Sequence, residues 1–140
     1  MHYIDTSVLT GYYCAETRSE RVQGALSGME DPAISPLVQV EFCCAVARKA
    51  RAGTLDRSVA LRIFSEFRRH LAEPGFRVIA IREANYALAC TWIAEMATPL
   101  RVLDAVHLAT AFSNGLTLVT ADRILAESAR HFGVKHKLIS

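Results

Sequence analysis

The sequence predicts an α/β fold in which a parallel sheet is covered by helices on both faces. Three observations carry this. Short β-rich runs recur at HYI (2–4), AIS (33–35), FRVIAI (76–81), LTLVT (116–120) and HKLI (136–139). Longer stretches of helical period separate them, and strands alternating with helices imply parallel pairing through right-handed crossovers. The chain is also 51% hydrophobic over 140 residues, enough to build a core without a disulfide or metal staple.

The elements follow in order. HYI is the first strand and runs straight into Asp5, Thr6 and Ser7. In SPLVQVEFCCAVARKARAG, Ser35 is placed to cap a helix and Pro36 takes its first position. Apolar residues recur there at Leu37, Val40 and Cys44, and Gly53 lies beyond a basic last turn. The next helix spans roughly 56–72, with Leu61, Phe64, Phe67 and Leu71 at helical spacing. Another runs from about Arg82 to Ala97 and is ended by Thr98 and Pro99. LRVLDAVHLATAFSNG closes at Asn114 and Gly115, and ADRILAESARHFG closes at Gly133. No repeat, low-complexity tract or linker interrupts the series, so residues 1–140 read as one domain.

Composition excludes several classes. A net charge of +2, from 16 basic and 14 acidic residues, is too balanced to announce nucleic acid by itself. The longest apolar runs fall short of a membrane span, and the first residues lack a basic region followed by an apolar one, so the reading is a cytoplasmic protein. Cys14, Cys43, Cys44 and Cys90 form no C-x-x-C pair, and the histidines show no zinc spacing. Cys43 and Cys44 sit in an apolar helical run, where reduced cysteine acts as a small hydrophobe.

Four carboxylates stand in unusual places. Asp5 and Asp122 lie just past the carboxyl ends of strands, where each also suits a helix cap. Glu41 interrupts the apolar run LVQVEFCCAVA, and Asp104 interrupts VLDAVHLATA. Acids are rare on apolar helix faces unless something pairs with them; Arg48 and Arg101 are the nearby basic residues. In an open parallel sheet, ligands bind outside the carboxyl ends of the strands, so all four acids are expected to meet in one pocket there. Clustered carboxylates raise one another's pKa, a penalty that a divalent cation removes. Oxygen donors without organised His or Cys favour Mg²⁺ or Mn²⁺. Such an ion polarises a phosphoryl oxygen and activates water for in-line attack on phosphorus, which is phosphodiester hydrolysis.

At these residues the sequence resembles the PIN-domain ribonucleases, in particular the VapC-type toxins of bacterial toxin–antitoxin pairs. The matching stretches are YIDTSVL, SPLVQVEFCCAVAR, LRVLDAVHLATA and LTLVTAD, in that order over nearly the whole chain. The resemblance implies a three-layer α/β/α sandwich with a twisted five-stranded parallel sheet. It also implies a Mg²⁺- or Mn²⁺-dependent endoribonuclease. The family's metal-site acids fall on Asp5, Glu41, Asp104 and Asp122, and its hydroxyl residues on Thr6, Ser7 and Thr120, which would orient the carboxylates. Thr120 also suits an ordinary N-cap. The chain departs from many relatives after TAD, running on as an amphipathic helix.

RNA requires cations near the pocket, and the candidates are Arg101 beside Asp104, Arg123 beside Asp122, and Arg48 with Lys49 and Arg51 at the end of the Glu41 helix. His107, one turn after Asp104, reads first as a packed helix histidine and second as a proton shuttle. By resemblance, a VapB-type antitoxin would hold the protein inactive. The stretch TGYYCAETRSERVQGAL and the 56–72 helix offer apolar and aromatic residues for that partner or for a homodimer face. Two other readings stand beside this one: a phospho-acceptor receiver domain, and a PIN scaffold that binds without catalysing.

Overall fold

The computed structural model describes residues 1–15, 17, 19–73 and 75–140. Glu16 and Arg18, in the stretch considered for a partner surface, lie outside the described residues. In chain order the elements are β1 (His2–Ile4), α1 (Thr6–Tyr13), α2 (Ser19–Ser27), β2 (Pro32–Ile34), α3 (Pro36–Arg51) and α4 (Arg57–Ala72). They continue with β3 (Arg77–Val78), α5 (Glu83–Ala94), α6 (Val102–Ser113), β4 (Thr117–Thr120), α7 (Arg123–His131) and β5 (His136–Leu138). The five strands form one parallel sheet in the order β3-β2-β1-β4-β5.

Starting from the central β1, the chain moves outward through β2 to β3, then crosses back to β4 and β5. Right-handed crossovers therefore put α1 to α4 on one face and α5 to α7 on the other. The helix contacts agree: α1 touches α2 and α3, α3 touches α4, α5 touches α6, and α6 touches α7. Between the layers lie the fully buried Ile4, Leu9, Ile34, Phe42, Leu108, Leu118 and Leu125. Tyr13, Phe42 and Phe67 pack edge-on under the first layer, and Trp92 stacks on Phe132 under the second.

Several boundaries differ from the sequence expectation. β2 gives up Ser35, whose hydroxyl accepts from the Val38 amide and caps α3. β3 is two residues long instead of six, because it is an edge strand with β2 as its one neighbour. α5 stops at Ala94, ahead of Thr98 and Pro99, where Met96 enters the left-handed region at φ 54° and turns the chain out. Gly115 and Gly133, at φ 64° and 70°, close α6 and α7 as expected. The buried stripe of α3 is Val38, Phe42 and Val46, and Val40, Cys43 and Cys44 face outward. On α4 it is Ala60, Ile63 and Phe67, leaving Leu61 exposed. The helices α1 and α2 were not delimited from sequence. Among the described residues, no helix is long and apolar enough to cross a membrane.

Candidate active site at the carboxyl edge of the sheet

The strand order reverses between β1 and β4, and the crevice outside their carboxyl ends is where a doubly wound sheet binds its ligands. Asp5 leaves β1 at that point and Asp122 follows β4. Glu41 stands in the second turn of α3 and Asp104 in the first turn of α6, so both helices bring an acid to the same edge.

Asp5 is 6% exposed and sits at the N-cap position of α1, but its side chain makes no capping bond. Instead its Oδ2 accepts from Ser7 Oγ at 2.6 Å and from Thr120 Oγ1 at 2.9 Å. Two hydroxyl donors on one oxygen hold a buried carboxylate that would otherwise be costly to desolvate. Thr120 is not the N-cap of α7. Its hydroxyl accepts from the Asp122 amide at 3.0 Å while donating to Asp5, which ties β1 to the end of β4. Asp122 is the true cap, its Oδ1 accepting from the Ile124 and Leu125 amides at 2.8 and 3.3 Å. Ser7 Oγ also accepts from the Ala121 amide at 3.0 Å.

Glu41 Oε1 accepts from Thr6 Oγ1 at 3.1 Å and pairs with His107 Nε2. Asp104, 20% exposed at its side chain, accepts from Arg101 Nε at 3.2 Å. Burial pushes the Asp104 carboxyl above the ordinary carboxylate value, the Arg101 guanidinium pulls it down, and the charges of Asp5 and Asp122 add to the rise. Tyr3 shares the parity of Asp5 on β1. Burial raises its hydroxyl well above the ordinary tyrosine value; the Ser35 bond opposes the rise, and the charges of Asp5 and Glu41 add to it. These couplings and bonds connect all four acids through their neighbours.

Among the described residues, no group of three or more His, Cys, Asp or Glu side chains forms a ready cage for a metal ion. The donor chemistry of the site still suits Mg²⁺ or Mn²⁺, since such ions are commonly held by one or two carboxylates with water completing the shell. Burial lifts Asp104 most, and the smaller repulsion from Asp5 and Asp122 is the charge a cation would relieve. Asp5 and Asp104, whose charges feel each other and that of Asp122, are the residues that would hold it.

Beside these acids opens a cleft of about 650 Å³ lined by Ser7, Asp122, Arg123, Ile124, Leu138 and Ile139 among others. Arg101 and Arg123 stand at the helix starts on this edge. Arg48 lies seven residues beyond Glu41 along α3, roughly 10 Å toward the opposite edge. Also at that opposite edge, a groove of about 330 Å³ is lined by Tyr12, Leu26, Pro32, His70 and Phe76 among others. Tyr3 and Ser35 join the site as neighbours the sequence did not single out, and His107 is a packed histidine of α6 as expected while also bonding to Glu41. The signals were the shared strand face of Tyr3 and Asp5, and the i, i+3 spacing of Asp104 and His107.

The profile of the PIN domain family matches residues 2–130, and the chain belongs to that family. Three solved structures share its fold. The FitAcB structure from Neisseria gonorrhoeae is 22% identical with a TM-score of 0.71, covering 97% of this chain and 96% of that one. The Mycobacterium tuberculosis VapC20 structure, described as a Sarcin-Ricin loop cleaving toxin, is 14% identical with a TM-score of 0.74, covering 91% and 95%. VapBC2 from Rickettsia felis, bound to a DNA fragment from its promoter, is 14% identical with a TM-score of 0.70 and full coverage of both chains. No curated protein matches the chain.

Proposed function

We propose that the protein is a Mg²⁺- or Mn²⁺-dependent endoribonuclease of the VapC type, a cytoplasmic toxin that cuts RNA and is neutralised by a VapB-type antitoxin. The observation that carries the reading is Asp5: a nearly buried carboxylate, held by two hydroxyls, at the switch point of a PIN-family sheet, with its charge felt at Asp104. The family is one of nucleases, and several neighbours in fold are toxins or complexes with antitoxins. Family membership removes the receiver-domain alternative.

In this reading Asp5, Glu41, Asp104 and Asp122 form the acidic set. Thr6, Ser7 and Thr120 keep Glu41 and Asp5 in place by donating to one oxygen of each. A bound Mg²⁺ or Mn²⁺ would supply the Lewis acid that polarises the scissile phosphate and lowers the pKa of attacking water. Arg101 and Arg123 bind flanking phosphates along the cleft, and Arg48 serves a phosphate farther out. The groove at the far edge takes apolar side chains of the antitoxin, whose tail must then run the length of α1, about 12 Å, to reach the acids. The outer face of α5, with Tyr86, Cys90 and Ile93 exposed at i, i+4 and i+7, is the homodimer surface.

Purified protein incubated with defined RNAs, in Mn²⁺, in Mg²⁺ and in chelator, tests the proposal beside Asp5→Ala. Cleavage is expected with metal only, and to fall by about 100-fold or more in the variant. Cleavage that survives chelator or the substitution overturns the mechanism. A parent protein that binds RNA without cutting it would be the inactive scaffold.

A further inference from the structure

Three polar side chains sit fully inside the protein next to the acidic edge: Tyr3 and Ser35 at 0% exposure and His107 at 1%. Groups so buried must be hydrogen-bonded or they cost free energy. They bond to one another in a line. The Val38 amide donates to Ser35 Oγ at 3.3 Å, Ser35 Oγ meets Tyr3 OH at 2.8 Å, and Tyr3 OH meets His107 Nδ1 at 2.7 Å. His107 Nε2 then meets Glu41 Oε1, which also accepts from Thr6 Oγ1.

The two ends fix the direction of this line. A backbone amide can only donate and an ionised carboxylate can only accept. Reading back from Glu41, Nε2 carries the proton given to the carboxylate, and in the neutral imidazole Nδ1 is then bare. Tyr3 therefore donates to Nδ1 and accepts from Ser35, which accepts from Val38. From Val38 to His107 each hydroxyl accepts once and donates once, in one sense. A core needing only to be filled would do as well with Phe and Leu, since replacing both partners of a buried bond by apolar groups is close to neutral.

We propose that Ser35, Tyr3 and His107 are positioning residues for Glu41, a one-way relay that locks the Nε2–H tautomer of His107 and pins Oε1. Glu41 is left with Oε2 as the oxygen that neither His107 nor Thr6 engages. Because α3 and α6 belong to opposite layers, the bond also joins the layers at the catalytic edge. Outer contacts of this kind orient the ligands of metal sites. The inference rests on Glu41 belonging to a metal-binding acid set.

Two measurements test it. In metal-free parent protein at about pH 8, above the ordinary histidine pKa, ¹⁵N NMR is expected to show the His107 proton on Nε2; a proton on Nδ1 overturns the relay. Calorimetric Mn²⁺ titration of folded variants is the second. Tyr3→Phe is expected to weaken Mn²⁺ binding by roughly 10-fold and His107→Leu by up to about 100-fold. His107→Gln should recover most of the loss, because its amide can donate to Glu41 while its carbonyl accepts from Tyr3. Should His107→Leu fail to fold, Tyr3→Phe still decides. Variants that bind Mn²⁺ like the parent while only their unfolding midpoints fall would overturn the proposal. A parent that binds no Mn²⁺ overturns the metal-site reading instead, and the nitrogen assignment then judges the relay alone.

Discussion

Thr120 shows how much a single hydroxyl can do at this edge: it donates to Asp5 and accepts from the Asp122 amide, so its loss leaves groups on both sides short of a partner. Thr120→Val, equal in shape, should cost about 1–3 kcal/mol of stability, read by urea unfolding. Asp104 makes a second residue-level case. Its pKa in the folded protein is raised, so the folded state keeps that proton to higher pH than the unfolded chain does. The resulting contribution to stability is present below the ordinary value of 3.8 and is lost as pH climbs through the raised one. Metal-free Asp104→Asn, which cannot ionise, should therefore gain stability over the parent across that window and hold the gain above it. Unfolding at a series of pH values checks this, and a difference independent of pH would contradict it. At this scale the four proposed acids stand out in sequence because each breaks a pattern, an apolar helix face or a strand end. Tyr3 and Ser35 stand out less, since both fit their patterns, and the faces they share with the acids are the only local trace of a bond between residues 3 and 107.

Among the elements, α7 offers a separation of structural and chemical roles. Its cap is the Asp122 carboxylate, and asparagine caps about as well as aspartate. Asp122→Asn should therefore keep its unfolding midpoint while losing RNA cleavage, whereas Asp122→Ala should lose activity and also about 1 kcal/mol of stability. Paired cleavage and denaturation assays distinguish the two. Helix punctuation was readable beforehand: Ser35 and Pro36 open α3, and Gly115 and Gly133 close their helices in the left-handed conformation. Which side of a helix faces inward was less readable. LVQVEFCCAVA is apolar nearly all round, so Leu37, Val40 and Cys44 fit the helical period as well as the stripe of Val38, Phe42 and Val46 that the sheet selects. The edge strand β3 is short for a related reason, because it has one neighbour to hold it where FRVIAI alone suggested a full strand.

For the molecule as a whole, α5 is apolar on both sides, burying Ala89 and Trp92 and exposing Tyr86 and Ile93. A helix apolar all round is normally covered. For the proposed homodimer through this face, Ile93→Glu should be monomeric by analytical ultracentrifugation with the fold intact; a dimer unchanged by the substitution would contradict this interface. The topology has a consequence in time as well as in space. β1, the first of the five strands in chain order, is the middle of the sheet, and its partner β4 pairs with it at Thr117 to Val119. Roughly a hundred residues must be translated before that pairing can close, and contacts so distant in sequence form late. Asp5 thus waits without Thr120 until that residue has been made, and an enzyme of the proposed kind would stay inert until then.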